Sequence, residues 1–288
     1  MLRVLTFNTG LTEIRLFGAA LYEDVPHVVP RAARLAPALR VLGADIVLLQ
    51  ELVPQRVKRA LATELRDLYP HTAGIDEDTR FYGTGLLTLS RHPIEDAACT
   101  PFAEQTFEEG LFGPRGMLIC TVRTPGLGPC RVLNLHATAG GASRKRRRQG
   151  VPGRKSAQIA EAIAAAGAPF DGPVVLGGDF NSDPATDAAA GKRLGAAGFS
   201  DASALVPGSL GPPGTWDPAN PLNRSRASGP ARRVDHIFVR SRGGQPVEAR
   251  DVRIVLDEPA VPVPEGDAVP LSDHYGLLAT LAPSARGI

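Results

Sequence analysis

The chain has 288 residues, of which 43% are hydrophobic and 22% are charged, and its formal net charge is +2. This apolar content supports a sizeable core and excludes a disordered chain. The near-neutral charge excludes a surface that binds nucleic acid over its whole area. No apolar run reaches about 18 residues, so we expect no transmembrane helix. The start, MLRVLTFNTG, has a strand pattern and not that of a signal peptide, so we expect a cytoplasmic protein.

Apolar runs with strand spacing and with helical spacing alternate along the chain. Eight runs are predicted as strands: Leu2–Asn8, Asp45–Gln50, Gly85–Leu89, Met117–Val122, Arg131–His136, Pro173–Phe180, Val234–Val239 and Tyr275–Leu281. Three segments are predicted as helices: Pro30–Leu42, Pro54–Leu68 and Gly153–Ala166. The residues Pro207–Pro230 are predicted as a long ordered loop. Helices between many short strands indicate a layered α/β fold with mixed sheets.

The stretch GGDFNSDP ends one of the apolar runs with a carboxylate and an amide. In an extended chain Asp179 and Asn181 point to the same face, and Phe180 points into the core. The glycines Gly177 and Gly178 indicate a crowded place in the backbone. An Asx-rich turn after a buried strand is an equally ordinary interpretation of these residues alone.

The same pattern, a polar residue at the end of an apolar run, recurs along the chain at Asn8, Glu51, His136, Asp235 and the pair Asp273–His274. Each instance alone has an ordinary explanation, such as a first-turn acid for Glu51 or a core histidine for His136. An unpaired buried polar group costs roughly 1–3 kcal/mol. So many of them favour a site in which these groups pair with one another and with a metal.

The chemistry of this set favours a hard cation. Carboxylate and amide oxygens suit Mg²⁺ or Mn²⁺. The three cysteines, Cys99, Cys120 and Cys130, lack metal-ligand spacing, and no HExxH motif is present, so zinc is disfavoured. Oxygen ligands with two histidines, and without a serine or cysteine nucleophile elbow, indicate metal-assisted attack of water on phosphorus.

The ordered motifs TFN, LLQE, GTGLLTLSRHPI, LNLHA, GGDFNSDP, RRVDHIFV and LSDHYG resemble the endonuclease/exonuclease/phosphatase superfamily. That superfamily includes DNase I-like nucleases, inositol phosphatases and neutral sphingomyelinases. The motifs run from Thr6 to Gly276 in the family's order. The resemblance implies one domain over residues 1–288. It also implies a four-layer α/β/β/α sandwich of two mixed, mainly antiparallel sheets, with the site at one end of the sheets.

Carried over by motif, the resemblance assigns a metal and its surroundings. It implies that Glu51 binds Mg²⁺ with help from Asn8 and Asp273. It also implies that Asp179 positions or activates the attacking water and that Asn181 contacts the phosphate.

The resemblance gives the two histidines different roles. It implies that His274 is the general base and that Asp235 holds its tautomer. It implies that His136 donates to a phosphate oxygen. These roles are chemically reasonable, because a carboxylate behind an imidazole raises its basicity and a donor stabilises charge that develops on phosphate.

Two further stretches resemble the sphingomyelinase-like branch of the family. Arg115 stands before Gly116 where that branch carries Lys-Gly, and Trp216 lies in a similar Thr-Trp-Asp segment. Arg115 could hold a phosphate oxygen through its fork of donors. Trp216 could face a choline-like cation or anchor the Pro-rich loop. The chain departs from the branch by Arg in place of Lys at 115 and by His236 where Tyr is common.

A basic segment, Arg144–Lys155, holds seven basic residues, among them Arg144 and Arg146, and no acidic one. It is interpreted as a solvated loop, a contact for anionic phosphate-rich substrates including nucleic acid, or a contact for an anionic membrane surface. It has no aromatic residue to stack on bases, which disfavours a dedicated single-strand binder.

Together these features predict a Mg²⁺-dependent phosphoester hydrolase acting on a phosphoester substrate, most simply a sphingomyelinase-like phosphodiesterase. The enzyme alternatives are a DNase I-like endonuclease and a phosphomonoesterase acting on a small or inositol phosphate. The non-enzyme alternative is a catalytically silent binding module, which the complete set of site residues disfavours. No obligate protein partner is inferred.

Overall fold

The structure is a computed structural model that describes residues 1–16, 19–75, 83–139, 151–167, 169–183, 187–206, 214–224, 229–241, 246–264 and 266–284. In these residues the strands are β1 (Leu2–Leu11), β2 (Glu13–Leu16), β3 (Ala19–Glu23), β4 (Ile46–Leu52), β5 (His71–Ala73), β6 (Leu87–Ser90), β7 (Ile94–Pro101), β8 (Gly116–Thr124), β9 (Gly128–His136), β10 (Val174–Asp179), β11 (Ser200–Asp201), β12 (Asp235–Arg240), β13 (Val247–Val255) and β14 (Gly276–Pro283). The helices are α1 (Val28–Leu42), α2 (Gln55–Glu64), α3 (Phe107–Phe112), α4 (Val151–Gly167) and α5 (Ala188–Ala196), with a 3₁₀ turn at Ala202–Leu205.

The described strands form two six-stranded mixed sheets and a small hairpin of β2 and β3. The first sheet has the order β13-β14-β1-β4-β6-β5, and the second has the order β11-β12-β10-β9-β8-β7. Each sheet contains one parallel pair, β1 with β4 and β9 with β10. A parallel pair needs a crossover connection, which α1 and α4 provide. Both sheets therefore place the ends of two parallel strands side by side near their centre.

The two sheets pack face to face, and helices cover their outer faces. Val4, Ile46, Val132 and Val175 belong to the apolar layer between the sheets. The outer layers are a cluster that includes Leu35 of α1 and Leu61 of α2 with Leu5 and Leu49, and a cluster that includes Ile159 of α4 and Leu194 of α5 with Leu133 and Leu176. This arrangement confirms the predicted α/β/β/α sandwich.

The layer between the sheets changes from apolar to polar along the strands. On β1 the inward residues run from Val4 through Thr6 to Asn8, all buried. On β10 they run from Val175 through Gly177 to Asp179, also buried. Because alternate residues of a strand share a face, one end of the sandwich holds the core and the other end holds a buried polar cluster.

The eight predicted strands are confirmed and correspond to the interior strands β1, β4, β6, β8, β9, β10, β12 and β14. The prediction missed all four edge strands, β5, β7, β11 and β13, together with the β2–β3 hairpin. Edge strands are covered on fewer sides, so they lack the continuous apolar run of an interior strand. The three predicted helices are confirmed as α1, α2 and α4, with α2 ending at Glu64, before the predicted Leu68; α3 and α5 were not predicted. Within the described residues, no helix is long and apolar enough to cross a membrane.

Candidate active site

The polar cluster is assembled by the strand register at one end of the sandwich. Asp179 on β10 lies opposite His136 on β9 and opposite Asp235 on β12. On the facing sheet, Asn8 on β1 lies beside Gln50 on β4, one residue before Glu51. The ends of the two parallel pairs therefore bring together residues that are far apart in the chain.

Asp179 is held by amide groups on both sides. Its carboxylate accepts from Asn8 Nδ2 at 2.9 Å, from the Asn181 backbone N–H at 2.7 Å and from Asn181 Nδ2 at 3.2 Å. Asn181 takes a left-handed conformation, φ 50°, which asparagine tolerates better than most residues. Burial, with the nearby carboxylate of Asp235, raises the pKa of Asp179 to about 6.

The backbone below Asp179 is packed too tightly for side chains. A Cβ on Gly177 would lie 2.6 Å from Leu48 Cδ1, and one on Gly178 would lie 2.0 Å from the Leu135 carbonyl oxygen. Phe180, fully buried, fixes the opposite face of the chain in the core under α4 and α5. The predicted crowding is thus confirmed. Asn181 is not extended as expected, since its φ is 50°, but its side chain still lies against Asp179.

The buried pair His274–Asp235 faces Asp179. His274 Nδ1 lies 2.9 Å from Asp235 Oδ2, and His274 Nε2 lies 3.9 Å from Asp179 Oδ2. Burial on its own lowers the pKa of His274, but the carboxylates of Asp235 and Asp179 outweigh it and hold that pKa well above its usual range. His274 is therefore a strongly basic imidazole, and its Nε2 faces Asp179.

His136, fully buried, has the opposite electrostatic character. Arg115 Nη1 lies 2.6 Å from His136 Nδ1, while His136 Nε2 lies 3.4 Å from Asp179 Oδ2 and 3.6 Å from Glu51 Oε1. Burial and then the Arg115 guanidinium hold the pKa of His136 well below its usual value. The imidazole of His136 is therefore neutral, whereas the imidazole of His274 is basic. Two titratable groups whose pKa values are pushed apart are typical of acid/base sites.

Glu51 lies on the other side of His136, in a strained backbone. Its φ is 53°, an uncommon conformation for glutamate, and such strain clusters at functional sites. Thr12 Oγ1 donates to its carboxylate at 3.4 Å, and Arg115 Nη1 lies 3.7 Å from it. Burial raises the pKa of Glu51 to about 7 although Arg115 lowers it.

The chain that carries this cluster matches a known protein family over most of its length. The family model described as Endonuclease/Exonuclease/phosphatase family matches residues 5–274. The chain belongs to this family. A comparison with curated proteins found no match.

Solved structures of similar shape have the same fold. Sphingomyelinase C from Streptomyces griseocarneus is 22% identical with a TM-score of 0.76, and the alignment covers 96% of this chain and 98% of that one. A beta toxin variant from Staphylococcus aureus with bound magnesium ions is 18% identical with a TM-score of 0.76, covering 96% and 98%. TDP2 from C. elegans is 18% identical with a TM-score of 0.68, covering 98% and 75%. The fold is DNase I-like, and the family membership makes the chain a phosphoester hydrolase.

The donor set of this family site fits a divalent metal. Asp179, Asp235 and His274 offer ligand atoms within 4.8 Å of one another, and all three residues are buried. Glu51 is a largely buried carboxylate, with 13% of its side chain exposed, and burial raises its pKa; a bound cation would offset the cost of ionising it. Carboxylates and an amide accept Mg²⁺ or Mn²⁺ alike. Metal dependence is therefore in keeping with the residues present.

The predicted metal ligands Asn8 and Asp273 also lie in the cluster, and the side-chain oxygen of each accepts a hydrogen bond from a neighbouring residue. Asn8 Oδ1 accepts from the Gly10 N–H at 3.0 Å, and Ser272 Oγ donates to Asp273 Oδ1 at 3.1 Å. A Cβ on Gly10 would lie 2.6 Å from Asp273 Oδ1, so this glycine makes room for the carboxylate.

The described part of the predicted Pro-rich loop consists of residues 214–224 with Gly229 and Pro230, and it contacts two segments of the polar cluster. Thr215 Oγ1 accepts from the backbone N–H groups of Val234 and Asp235 at 3.0 and 3.1 Å. Asn220 donates to the Ser272 carbonyl and Asn223 to the Asp273 carbonyl, at 2.9 and 2.8 Å. The loop thereby ties the segment that carries Asp235 to the segment that carries Asp273 and His274.

Trp216 belongs to this loop, and its ring already has a cationic neighbour. The Arg232 guanidinium carbon lies 4.4 Å from the centre of the ring. The backbone of Trp216 bridges both Arg232 and His274. Arg232 covers one face of the Trp216 ring, so a choline-like cation cannot bind to that face. The backbone bridges of Trp216 agree with the alternative that this residue anchors the loop.

Sequence reasoning missed several residues that support the site. Gln50 Nε2 donates to Asn134 Oδ1 at 2.8 Å and joins the two sheets under the cluster. Lys155, in the first turns of α4, donates to the Asn181 carbonyl at 2.6 Å. Gln50 and Asn134 are polar residues at inward positions of predicted buried strands, and this pattern could have identified them as part of the polar layer between the sheets. Arg144 and Arg146 lie outside the described residues.

Proposed function

We propose that the chain is a Mg²⁺-dependent phosphodiesterase of the sphingomyelinase-like type, with His274 as the general base. The observation that carries the proposal is the pair of buried histidines with opposite environments around Asp179. His274 is backed by a carboxylate, and His136 is backed by a guanidinium. One is suited to accept a proton from water, and the other is suited to donate a hydrogen bond to phosphate.

The roles of the protein groups follow from their positions. Water held by Asp179 gives its proton to His274 Nε2 as its oxygen attacks phosphorus and the P–O bond to the leaving group breaks. Asp235 accepts from the Nδ1–H of the resulting imidazolium, and the leaving alkoxide takes up a proton from solvent. His136 donates from Nε2 to a non-bridging oxygen and opposes the charge that grows on it. Asn181, whose side chain donates to Asp179 and to the Ala137 carbonyl, lies beside the attacking water and contacts the phosphate.

A metal would be held by Glu51 with Asn8 and Asp273. When bound, it supplies Lewis-acid polarisation of the phosphoryl oxygen. Asp179 and Asp235 contribute to the negative field around this position, and they also hold the attacking water and the base.

The sphingomyelinase-like type is supported by two features. The chain matches sphingomyelinase C over nearly the full length of both proteins, with a TM-score of 0.76. Arg115, the basic residue that stands where that branch carries lysine, lies at the site with Nη1 3.7 Å from Glu51 Oε1. We therefore propose a lipid phosphodiester as the substrate class.

The experiment that tests the proposal compares kcat/KM on sphingomyelin in mixed micelles with kcat/KM on duplex DNA, at matched Mg²⁺. We expect faster hydrolysis of the lipid, complete loss with EDTA, and recovery with Mg²⁺ or Mn²⁺. His274→Ala assigns the activity to this site, because a contaminating hydrolase would survive the substitution. Efficient nicking of DNA without lipid turnover would replace the lipid phosphodiesterase with a nuclease.

A further inference from the structure

The contact between Arg115 and His136 fixes the position of a proton. Arg115 Nη1 and His136 Nδ1 are 2.6 Å apart, and both groups are largely buried. A guanidinium nitrogen only donates, so His136 Nδ1 must be the acceptor. The proton of the neutral imidazole is then on Nε2.

The other side of the His136 ring faces the site. Nε2 is buried and has no hydrogen-bond partner among the described residues. The two carboxylates nearest to it, of Asp179 and Glu51, lie at 3.4 and 3.6 Å. An N–H group at this place is a donor reserved for an oxygen that arrives from outside the protein.

Arg115 is itself held in place by the segment around α3. Its backbone N–H donates to Gln105 Oε1 at 2.9 Å, and its Nε lies 3.8 Å from Glu109 Oε1. Glu109 also accepts from Thr138, two residues beyond His136, and closes a capping box with Thr106. The guanidinium therefore reaches the imidazole from a fixed direction.

We propose that Arg115 is a positioning residue that holds His136 as the tautomer with its proton on Nε2, aimed at the substrate phosphate. The proposal rests on the function proposed above and changes the role expected for Arg115, from direct contact with phosphate to action through the histidine. At this position an acidic partner would favour a proton on Nδ1 and leave Nε2 as an acceptor. The positively charged partner is what makes His136 a donor.

The primary test reads the tautomer directly. The protein with ¹⁵N-labelled histidine and bound Mg²⁺ is measured by long-range ¹H–¹⁵N correlation, and His136→Gln assigns the signal among the six histidines. We expect the Nε2–H pattern in the wild type. A proton on Nδ1, or on both nitrogens, would overturn the proposal even if no Arg115 variant folds. Because this measurement needs no substrate, it stands whether or not the lipid phosphodiesterase activity is found.

The second test separates positioning from direct phosphate contact. Arg115→Met should disturb the His136 signal and lower kcat about ten- to a hundredfold, with KM nearly unchanged. Arg115→Lys keeps a positively charged donor, so its His136 signal and its kcat should both lie closer to the wild type than those of Arg115→Met. Arg123→Met is the matched control, since Arg123 is an exposed arginine of β8, the strand that directly follows Arg115, and it pairs with Glu95. An unchanged His136 signal with a raised KM would instead assign Arg115 to the phosphate.

Discussion

Gln50 and Asn134 form a hydrogen bond between the two sheets, directly below the polar cluster. Gln50 Nε2 donates to Asn134 Oδ1 at 2.8 Å and to Thr6 Oγ1 at 3.1 Å. Asn134 Nδ2 in turn donates to the carbonyls of Leu49 and Leu87. These residues are fully buried, so this is the level at which the core ends and the polar site begins.

The first prediction concerns this link. Gln50→Met or Asn134→Leu should each lower the free energy of unfolding by roughly 1–3 kcal/mol, because each leaves buried polar groups without partners. The double variant should cost less than the sum of the two single variants, since both changes remove the same bond. Chemical denaturation of the four proteins measures the coupling. Strict additivity would mean that the two amides do not depend on each other.

The second prediction concerns the close approach below Asp179. A Cβ at Gly178 would collide with the Leu135 backbone, and φ is 145° there. Gly178→Ala should therefore destabilise the protein by several kcal/mol or prevent folding. Gly195→Ala is the matched control, because nothing lies within 4 Å of that position on α5. The control should stabilise the protein by up to about 1 kcal/mol through helix propensity. Equal melting temperatures for the two variants would contradict the packing described.

The third prediction concerns the base. His274→Ala should lower kcat by at least ~10²-fold, the usual contribution of a general base. Asp235→Asn should also lower it, because an amide can stabilise the wrong tautomer of His274. The base must be deprotonated to act, so the wild-type rate should rise with pH through the pKa of His274, and His274→Ala should lose that limb. Stopped assays across a pH series measure both effects. Wild-type turnover in His274→Ala would remove the residue from the mechanism.

The sequence predicted the interior strands and the polar residues at their ends, because burial alone determines the residue pattern there. Interior strands are buried on both faces, so their apolar runs are continuous, and polar residues at their ends stand out. The edge strand β13, with the sequence VEARDVRIV, mixes charged and apolar residues and gives no such signal. The partnership of Arg115 with His136 depends on the register of β8 and β9, where Gly116 lies opposite His136, and no spacing in the sequence encodes that register. The cytoplasmic location and the single domain stay predictions.

The fourth prediction is that the metal-free protein becomes less stable as the pH rises. Glu51 and Asp179 have pKa values of about 7 and about 6 in the folded protein, above the values of 4.5 and 3.8 that carboxyls ordinarily have. The folded state therefore binds more protons than the unfolded state between about pH 4 and pH 7, and stability falls with pH in that range. His274 acts in the same direction as the two carboxyls, because its stabilisation is complete below its unfolded pKa and is lost as the pH rises through its raised folded pKa. His136 acts in the opposite direction, because its lowered folded pKa makes the unfolded state bind more protons there, but one imidazole is outweighed by two carboxyls.

Unfolding of EDTA-treated protein across this range measures the slope. Saturating Mg²⁺ should flatten it, since a bound cation favours the ionised carboxylates. Glu51→Gln should also reduce the slope, because it removes one of the groups that take up protons. Metal-free protein that gains stability between pH 5 and pH 7 would show that these carboxyls are not the groups that dominate.

The last prediction divides the basic segment into two parts with different functions. Lys155 lies on α4 and donates to the Asn181 carbonyl at 2.6 Å, and burial lowers its pKa although the field of Asp179 opposes this. Lys155→Met should therefore loosen Asn181 and lower kcat even on a small soluble phosphodiester. The five residues Arg144, Lys145, Arg146, Arg147 and Arg148, which lie outside the described residues, are predicted to act on substrate approach.

Neutral replacements of these five residues should raise KM on anionic vesicles and reduce the salt dependence of kcat/KM, because fewer counterions are released on binding. On the small substrate their kcat should stay within about twofold of the wild type, in contrast to Lys155→Met. Lys192→Met serves as the control for loss of a lysine elsewhere, because Lys192 lies on the neighbouring helix α5. A collapse of kcat on the small substrate in the five-residue variant would put that part of the segment at the site as well. An unchanged salt dependence would show that it lies away from the path of the substrate.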